Sequence, residues 1–339
     1  MNFCLRKLAV ATLLAGAAST ASAVDRLVIF GDSLSDTGNA AALVGINGAQ
    51  VVTGNSYIPG QPYASGQFTN GDVWAKTFAN ALGLGSFAQP WLTSPGGSNY
   101  AFGGARVATD GVDQPPSLST QVGQFLGNSG VMPNTLFVLE GGGNDARDAL
   151  QAAAAAGGDP ATTAAVITFA ATTYAQKIGD LVDQLQAAPG AQEIVVWNVP
   201  NLALAPAVTI QGPGAIFLAD LVVQAMNAAL AARLASESDL LLFDVFGVQN
   251  SFTANAASLG LANVTDACGA VPNCDPSTYL FWDGIHPTSA GHALLAQAML
   301  DQTGLVAAVP EPETYALLLA GLATVGVFSR RRKQRTRAV

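Results

Sequence analysis

The chain has 339 residues, of which 50% are hydrophobic and 11% charged, and its formal net charge is −9. This composition is typical of a folded globular protein. Residues 24–309 hold six basic and 21 acidic residues, a net charge of −15. Because nucleic-acid binding depends on basic residues that neutralise phosphates, this charge argues against a nucleic-acid partner. It favours an exported protein with neutral or weakly charged ligands.

The N-terminal end has the order of features found in secretory signal peptides. Residues 6–7 are basic, residues 8–18 form an apolar run, and Ala-Ser-Ala at 21–23 matches a signal-peptidase site. We therefore predict a signal peptide over residues 1–23 and a mature chain that begins at Val24.

Four short apolar runs predict strands, and each is nearly continuous in its apolar character. They lie at 26–30, 135–142, 193–199 and 239–246. Strands that are covered on both faces of a parallel sheet have this character. A Gly-rich stretch at 96–105 predicts a further short strand that ends at Gly103.

Segments with helical periodicity lie between these strands, chiefly at 159–188 and 213–236. Alternation of strands and helices predicts a three-layer α/β/α domain over residues 24–309, with a central parallel sheet of about five strands. The stretch 40–72 is rich in Gly, Asn and Pro and is predicted to be a long loop, and loops of that length are often functional.

Two cysteines remain after the signal peptide, Cys268 and Cys274 in "CGAVPNC". In an oxidising compartment this spacing predicts one local disulfide. A metal site is the alternative, but the chain has only two histidines and neither H-E-x-x-H nor paired C-x-x-C. We therefore predict no metal site.

The C-terminal end, residues 310–339, is predicted to lie outside the domain. Its apolar segment at 315–328 has fourteen residues, fewer than the roughly 20 that a membrane-spanning helix needs. A terminal core helix is one interpretation, but a basic cluster at 330–333 follows directly. Pro-Glu-Pro at 310–312, the short apolar segment and the arginines together resemble the PEP-CTERM sorting signal of Gram-negative bacteria. The resemblance implies an exosortase as partner, transient or terminal membrane anchoring with a possible inner-membrane intermediate, and delivery to the cell surface or extracellular matrix.

Polar residues follow the predicted strands, where ligands of open α/β sheets gather. Ser33 follows the first strand, "GGGND" with Asn144 follows the second, and "DGIH" with Asp283 and His286 follows the last. An acyl-transfer site needs a nucleophile, a base, a group that orients the base, and donors for the oxyanion. The chain offers each of these, with Gly103 as a source of an unobstructed backbone N–H.

Four segments resemble the GDSL/SGNH hydrolases in order and content: "FGDSLSDTGN", "NYAFGGA", "GGGND" and "DGIHPT". The stretches "GQFTNGDVWA" (66–75) and "VVWNVPNLALAP" (195–206) extend the resemblance across nearly the whole mature chain. It implies a flavodoxin-like α/β/α fold and an ester hydrolase. The G-x-S-x-G motif of the ordinary α/β-hydrolases is absent from the sequence.

Carried over to this chain, the resemblance implies Ser33 as nucleophile, His286 as general base and acid, and Asp283 as the carboxylate that orients His286. The oxyanion donors would be the backbone N–H groups of Ser33 and Gly103 and the side chain of Asn144. No cofactor is implied.

Other polar residues near these segments are predicted to have structural roles. Asp32, Asp36 and Asn39 are predicted to brace the Ser33 turn, Asp145 to tether its loop, and His292 to be a helix residue without a catalytic role. Four aromatic residues either line an acyl pocket or pin the long loop to the core, namely Tyr57, Tyr63, Phe68 and Trp74.

The sequence thus predicts an exported serine esterase or lipase that acts on a lipid or short-acyl ester. A carbohydrate O-deacetylase that acts on acetylated exopolysaccharide is the alternative within this class. A non-catalytic surface or matrix binding protein is the alternative from another class, and it would be expected to have lost one of the five residues named above for catalysis.

Overall fold

The computed structural model describes residues 24–48, 50–56, 60–110, 115–128, 133–188, 191–238 and 240–305. The predicted signal peptide (1–23), the predicted sorting segment (310–339) and Tyr57 lie outside these residues.

The central sheet has four parallel strands in sequence order: β1 (Arg26–Phe30), β2 (Thr135–Leu139), β3 (Ala191–Trp197) and β4 (Leu240–Phe243). All five residues of β2 are buried. β1 and β2 are therefore covered on both faces, as predicted, whereas the edge strand β4 is partly exposed, with Leu242 42% exposed.

A fifth segment runs beside β1 in the parallel direction. The Ile29 N–H donates to the carbonyl of Ser98 at 3.1 Å, and the Tyr100 N–H donates to the carbonyl of Ile29 at 2.7 Å. The Phe102 N–H donates to the Gly31 carbonyl at 3.1 Å. This segment occupies the place of the predicted short strand and makes the strand order that of flavodoxin-like sheets, 2-1-3-4-5.

Nine helices and a second, two-stranded parallel sheet complete the described part of the chain. The helices are α1 (Asn39–Val44), α2 (Trp74–Ala81), α3 (Leu118–Asn128), α4 (Gly143–Ala155), α5 (Pro160–Gln186), α6 (Pro206–Thr209), α7 (Pro213–Leu234), α8 (Val245–Ala254) and α9 (Ser289–Thr303). The second sheet pairs β5 (Asn263–Ala267) with β6 (Tyr279–Phe281), and four short 3-10 turns lie at Leu202–Leu204, Ala256–Leu259, Cys268–Ala270 and Pro276–Thr278. In its described residues, the predicted long loop at 40–72 begins within α1 and is otherwise irregular.

Capping residues in the sequence determine where α5 and α9 begin. The Asp159 carboxylate accepts the N–H of Thr162 at 2.8 Å, and Pro160 occupies the first turn of α5. The Thr288 hydroxyl accepts the N–H of Gly291 at 3.0 Å at the start of α9. Both are standard ways to satisfy the free N–H groups of a first helical turn.

Alternate residues of β1 point into two separate cores, which makes the domain three-layered. Val28 and Phe30 pack with Phe125 of α3 and with buried residues of α5 and α7. Leu27 and Ile29 pack on the other face with buried residues of α2, α8 and α9. The predicted α/β/α architecture is confirmed.

Among the described residues one helix, α7, is long and apolar enough to cross a membrane by length and composition alone. Core helices of soluble proteins meet the same criteria. Val222, Met226 and Leu230 of this helix are fully buried in the core that α7 shares with α5 and the sheet.

Cys268 and Cys274 form a disulfide with a Cα–Cα distance of 5.6 Å. The Gly269 N–H within this loop donates to the carbonyl of Trp282 at 2.9 Å. The loop therefore lies against the chain that leads from β6 to α9, where Asp283 and His286 lie.

His292 is fully buried on the inner side of α9. Neither of its ring nitrogens has a hydrogen-bond partner in the part of the chain that the structure describes. Burial, and secondly electrostatic repulsion from nearby His286, lower the pKa of His292 to about 3. The imidazole is therefore neutral in the folded protein across the neutral pH range.

Replacing His292 with leucine should remove a source of acid lability. The unfolded chain protonates His292 below about pH 6.5, whereas the folded protein resists protonation, so acid favours unfolding by about 1.4 kcal/mol per pH unit until the folded pKa is reached. In urea unfolding, His292→Leu should gain stability relative to the parent protein as pH falls from about 6.5 to about 4.5. Parallel pH profiles for the two proteins would contradict this account.

Candidate active site

Ser33 lies in a tight turn that directly follows β1. The Asp32 carbonyl accepts the N–H groups of Ser35 at 3.2 Å and Asp36 at 3.0 Å, and the Asp32 carboxylate accepts the N–H of Leu34 at 3.0 Å. The turn places Ser33 at the carboxyl end of β1, with 7% of the residue exposed. Within the described residues the N–H of Ser33 has no hydrogen-bond partner.

Ser33, His286 and Asp283 form a continuous chain of hydrogen bonds. The Oγ of Ser33 lies 2.8 Å from Nε2 of His286, and Nδ1 of His286 lies 2.6 Å from Oδ2 of Asp283. His286 is 2% exposed and Asp283 is fully buried. The structure therefore brings together the three predicted catalytic residues in the order that nucleophilic catalysis requires.

The Asp283 carboxylate is held by more than the imidazole. Its Oδ1 accepts the backbone N–H groups of Ile285 at 2.8 Å and His286 at 2.7 Å. Its Oδ2 also accepts the hydroxyl of Tyr63 at 3.2 Å, and the Tyr63 ring packs edge-on against Trp282 at 6.0 Å. The turn between β6 and α9 thus fixes the carboxylate, and a residue of the long loop fixes it further.

Tyr63, Phe68 and Trp74 fasten the long loop and the start of α2 rather than line the cavity. Tyr63 binds Asp283, and the Phe68 ring lies 5.5 Å from the His286 ring. The Trp74 indole N–H donates to the Ser35 hydroxyl at 3.1 Å and the ring packs on Trp197 at 4.6 Å. Of the two interpretations that the sequence left open, the contacts of these residues favour anchoring of the loop.

The backbone N–H of Gly103 is engaged elsewhere in the structure. It donates to Oδ2 of Asp36 at 2.9 Å, so the prediction that Gly103 supplies an oxyanion donor does not fit this arrangement. The next residue, Gly104, has a φ of +83°, and its N–H has no partner among the residues described. Gly104 lies next to Ala105, whose carbonyl accepts the Asn144 side chain.

Asn144 occupies the first turn of α4 and is largely buried. Its side-chain amide donates to the carbonyl of Ala105 at 3.0 Å and, at the longer distance of 3.3 Å, to Oδ2 of Asp32. The amide therefore lies beside the Ser33 turn at the N-terminus of a helix, where the helix dipole also favours negative charge.

Buried carboxyl groups tie the surrounding loops together. Asp36 accepts the N–H groups of Gly38, Asn39 and Ala40 as well as that of Gly103, and burial raises its pKa to about 6 in spite of these bonds. Asp145 accepts the N–H of Val107 at 3.2 Å, and burial raises its pKa to about 6 as well. The predicted bracing roles of both residues agree with these contacts.

Glu140 is a supporting residue that sequence reasoning missed. It follows β2 and accepts the N–H of Asp32 at 3.2 Å and the hydroxyl of Ser35 at 2.8 Å. Burial, followed by the negative charge of Asp32, raises the pKa of Glu140 well above its usual range, which favours its neutral form. No motif marks this residue, because it reads as the end of an apolar strand.

Gln121 of α3 supports the other end of the same turn. Its side-chain oxygen accepts the N–H of Gly31 at 2.8 Å, and its side-chain amide donates to the Gly31 carbonyl at 2.9 Å. The sequence gives no signal for this contact, because a buried glutamine in a helix has no distinctive spacing.

A cavity of about 200 Å³ opens beside Ser33 and His286. Its walls come largely from α4, α6, α7 and the turn before α9, and most of them are apolar. The lining includes Leu34, Leu150, Leu202, Val208, Leu218 and Ile285. Within the described part of the chain, Arg147 is the one lysine or arginine that lines it.

Two segments of the chain match models of known protein families. A model of the GDSL-like Lipase/Acylhydrolase family matches residues 27–299, and a model of the PEP-CTERM protein-sorting motif matches residues 308–333. The chain is 30% identical to Esterase EstA of Pseudomonas aeruginosa over 87% of this chain and 50% of that protein. It is 25% identical to the Thermolabile hemolysin of Vibrio parahaemolyticus over 84% of this chain and 65% of that protein.

Among solved structures, the phospholipase A1 of Streptomyces albidoflavus has a TM-score of 0.43 and 16% sequence identity, with 81% of this chain and 98% of that chain covered. The chain spans about half the length of the Esterase EstA that it matches.

A methyl group at Gly103 should damage the site. A Cβ there would overlap the Phe68 ring, which is buried against His286, so Gly103→Ala should lower the free energy of unfolding by about 1–3 kcal/mol and lower esterase activity. Gly123→Ala is the matched control, because its Cβ would meet no atom within 4 Å and alanine favours a helix by about 0.5–1 kcal/mol. Equal stability and activity for the two variants, measured by urea unfolding and nitrophenyl ester hydrolysis, would contradict the close approach of Gly103 and Phe68.

Proposed function

We propose, because the chain belongs to the GDSL-like lipase and acylhydrolase family, that it hydrolyses carboxylic esters through an acyl-enzyme on Ser33. The observation that carries the proposal is the hydrogen-bonded chain from Ser33 through His286 to Asp283, with distances of 2.8 and 2.6 Å. Ser33 and His286 of this hydrogen-bonded triad line an apolar cavity, as a site for an acyl group requires.

In the proposed cycle, Nε2 of His286 takes the proton of Ser33 while Oγ attacks the ester carbonyl. Asp283 stabilises the imidazolium that forms and holds its orientation. The imidazolium then protonates the leaving alkoxide as the acyl-enzyme forms. Water, deprotonated by His286, attacks this acyl-enzyme and releases the carboxylic acid and Ser33.

Three donors are proposed for the oxyanion: the N–H of Ser33, the N–H of Gly104 and the side-chain amide of Asn144. The first two have no hydrogen-bond partner in the described part of the chain. The Asn144 amide donates to the Ala105 carbonyl at 3.0 Å and makes a longer, 3.3 Å contact with Asp32, which an oxyanion would replace. Gly104 takes the place that the sequence assigned to Gly103, because the Gly103 N–H is bound by Asp36.

Asn144→Ala should lower turnover by roughly 100- to 1000-fold, since loss of one oxyanion donor has this effect in serine hydrolases. The measurement is kcat for a nitrophenyl ester, with circular dichroism to show that the fold is retained. A well-folded Asn144→Ala protein with unchanged kcat would remove Asn144 from the proposed oxyanion site.

The cavity supports a proposal for the acyl group as well. Its volume of about 200 Å³ lies below the range of about 300–1,000 Å³ that is typical of small-molecule pockets. Its walls are mainly aliphatic. We therefore expect a short or medium acyl chain rather than a long fatty acyl chain.

Hydrolysis of nitrophenyl acetate, butyrate, octanoate and palmitate by residues 24–309 tests both proposals. Butyrate or octanoate should be the best substrate, palmitate should be poor, and Ser33→Ala should be inactive on all four. Release of acetate alone would favour the O-deacetylase alternative. Equal rates for the parent protein and Ser33→Ala would refute Ser33 as nucleophile.

We propose further that the protein is exported and that an exosortase recognises residues 310–339. The match of residues 308–333 to the PEP-CTERM protein-sorting motif supports this. Mass spectrometry of the protein isolated from its own host should find a chain that begins at Val24 and lacks the arginine-rich tail. A surface-located chain that still carries residues 310–339 would contradict cleavage by an exosortase.

A further inference from the structure

Arg147 is the one lysine or arginine among the described residues that line the catalytic cavity. It lies on α4 three residues after Asn144, and side chains at this spacing share one face of a helix. The same cavity is lined by Ser33 and His286. A substrate bound for attack by Ser33 would therefore lie within the cavity that Arg147 enters.

Unlike Arg106, Arg147 has no ion pair or hydrogen bond in the described part of the chain. Arg106 pairs with Asp148 through two nitrogens, at 2.9 and 3.0 Å. A half-buried guanidinium whose N–H donors lack protein acceptors costs free energy, because burial removes water without supplying an acceptor. Burial, and secondly the charge of Arg106, lower the pKa of Arg147, which agrees with an unfavourable environment for its charge.

The acidic groups near Arg147 are already engaged. Asp148 is bound to Arg106, and the Asp32 carboxylate accepts the N–H of Leu34 and faces the amide of Asn144. Both attract the charge of Arg147, but neither lies within hydrogen-bond distance of it. The guanidinium is therefore available for an acceptor that enters the cavity.

We propose that Arg147 is a specificity residue that binds an anionic group, carboxylate or phosphate, carried by the ester substrate. This inference rests on the proposed esterase function and narrows it to amphiphilic esters with an apolar part and a negative charge. It departs from the expectation, based on the net charge of the domain, of neutral or weakly charged ligands. The negative charge of the domain repels anions in general. A single cation inside the cavity therefore restricts the binding of an anionic group to the position beside Arg147.

Guanidinium is well suited to this task, since its donors bind the two oxygens of a carboxylate or phosphate together. The charge can lie on the acyl chain or on the alcohol. Two pairs of probes distinguish these sources: nitrophenyl monoadipate against nitrophenyl hexanoate, and butyryl glycerophosphate against butyryl glycerol. Within each pair the ester is similar and only the anionic group differs.

The quantity to measure is the ratio of kcat/KM for the anionic ester to kcat/KM for its neutral partner. In Arg147→Met this ratio should fall by about 10- to 100-fold for at least one pair, as expected for loss of a charge-assisted hydrogen bond. Arg147→Lys should retain part of it. Because the ratio is taken within one protein, a general loss of folded enzyme cancels.

Lys177→Gln is the matched control, because it removes the same charge from α5, where Lys177 pairs with Asp180 outside the cavity. It should leave the ratio unchanged. An unchanged ratio in Arg147→Met for both pairs, or an equal fall in Lys177→Gln, would overturn the proposal. Failure of every ester to be hydrolysed in a Ser33-dependent manner would instead refute the proposed esterase function.

Discussion

Buried carboxyl groups hold the loops of this site in place, and the geometry around Ser33 and His286 depends on them. The loops at the carboxyl edge of the sheet have little regular structure, so their N–H groups need other acceptors. Asp36 binds two loops at once through Gly38 and Gly103, Glu140 binds the Ser33 turn, and Asp283 binds the turn that carries His286. Each carboxyl group thus replaces several missing backbone bonds.

This arrangement has an electrostatic cost that the structure makes visible. Burial raises the pKa values of Asp36 and Asp145 to about 6. It raises the pKa of Glu140 well above its usual range. Backbone N–H groups that donate to Asp36 and Asp145 favour the charged forms of these two residues and so limit the rise of their pKa values. The folded state therefore binds protons at these carboxyls more tightly than the unfolded chain does, whereas at His292 it binds them less tightly.

The sheet explains why residues so far apart in the chain meet. The order 2-1-3-4-5 leaves a crevice at the carboxyl ends of β1 and β2, where the connections leave in opposite directions. Ser33 follows β1 and Asn144 follows β2, so both reach this crevice directly. His286 arrives from the turn before α9, which the small sheet of β5 and β6 and the disulfide loop hold against the domain.

The sequence was sufficient to predict the strands, the layers and the close approach of Ser33, His286 and Asp283, because these depend on periodicity and on short segments of unusual composition. It was insufficient where a role depends on a contact between distant segments. Glu140 and Gln121 support the Ser33 turn from positions that look like ordinary strand and helix residues. Gly103 and Gly104 are neighbours of one type, and only the direction of each N–H distinguishes them. Tyr63 could have lined a pocket, and only the folded loop shows it bound to Asp283.

The central claim is that Ser33 is the nucleophile that the Asp283 and His286 pair activates. The most direct test is to treat the active protein with a fluorophosphonate, which forms a stable adduct with an activated serine, and to locate the adduct by peptide mass spectrometry. The account predicts a single adduct on Ser33, formed in step with loss of ester hydrolysis and strongly slowed in His286→Ala. Loss of hydrolysis with the adduct on another residue, or full hydrolysis with Ser33 modified, would contradict it.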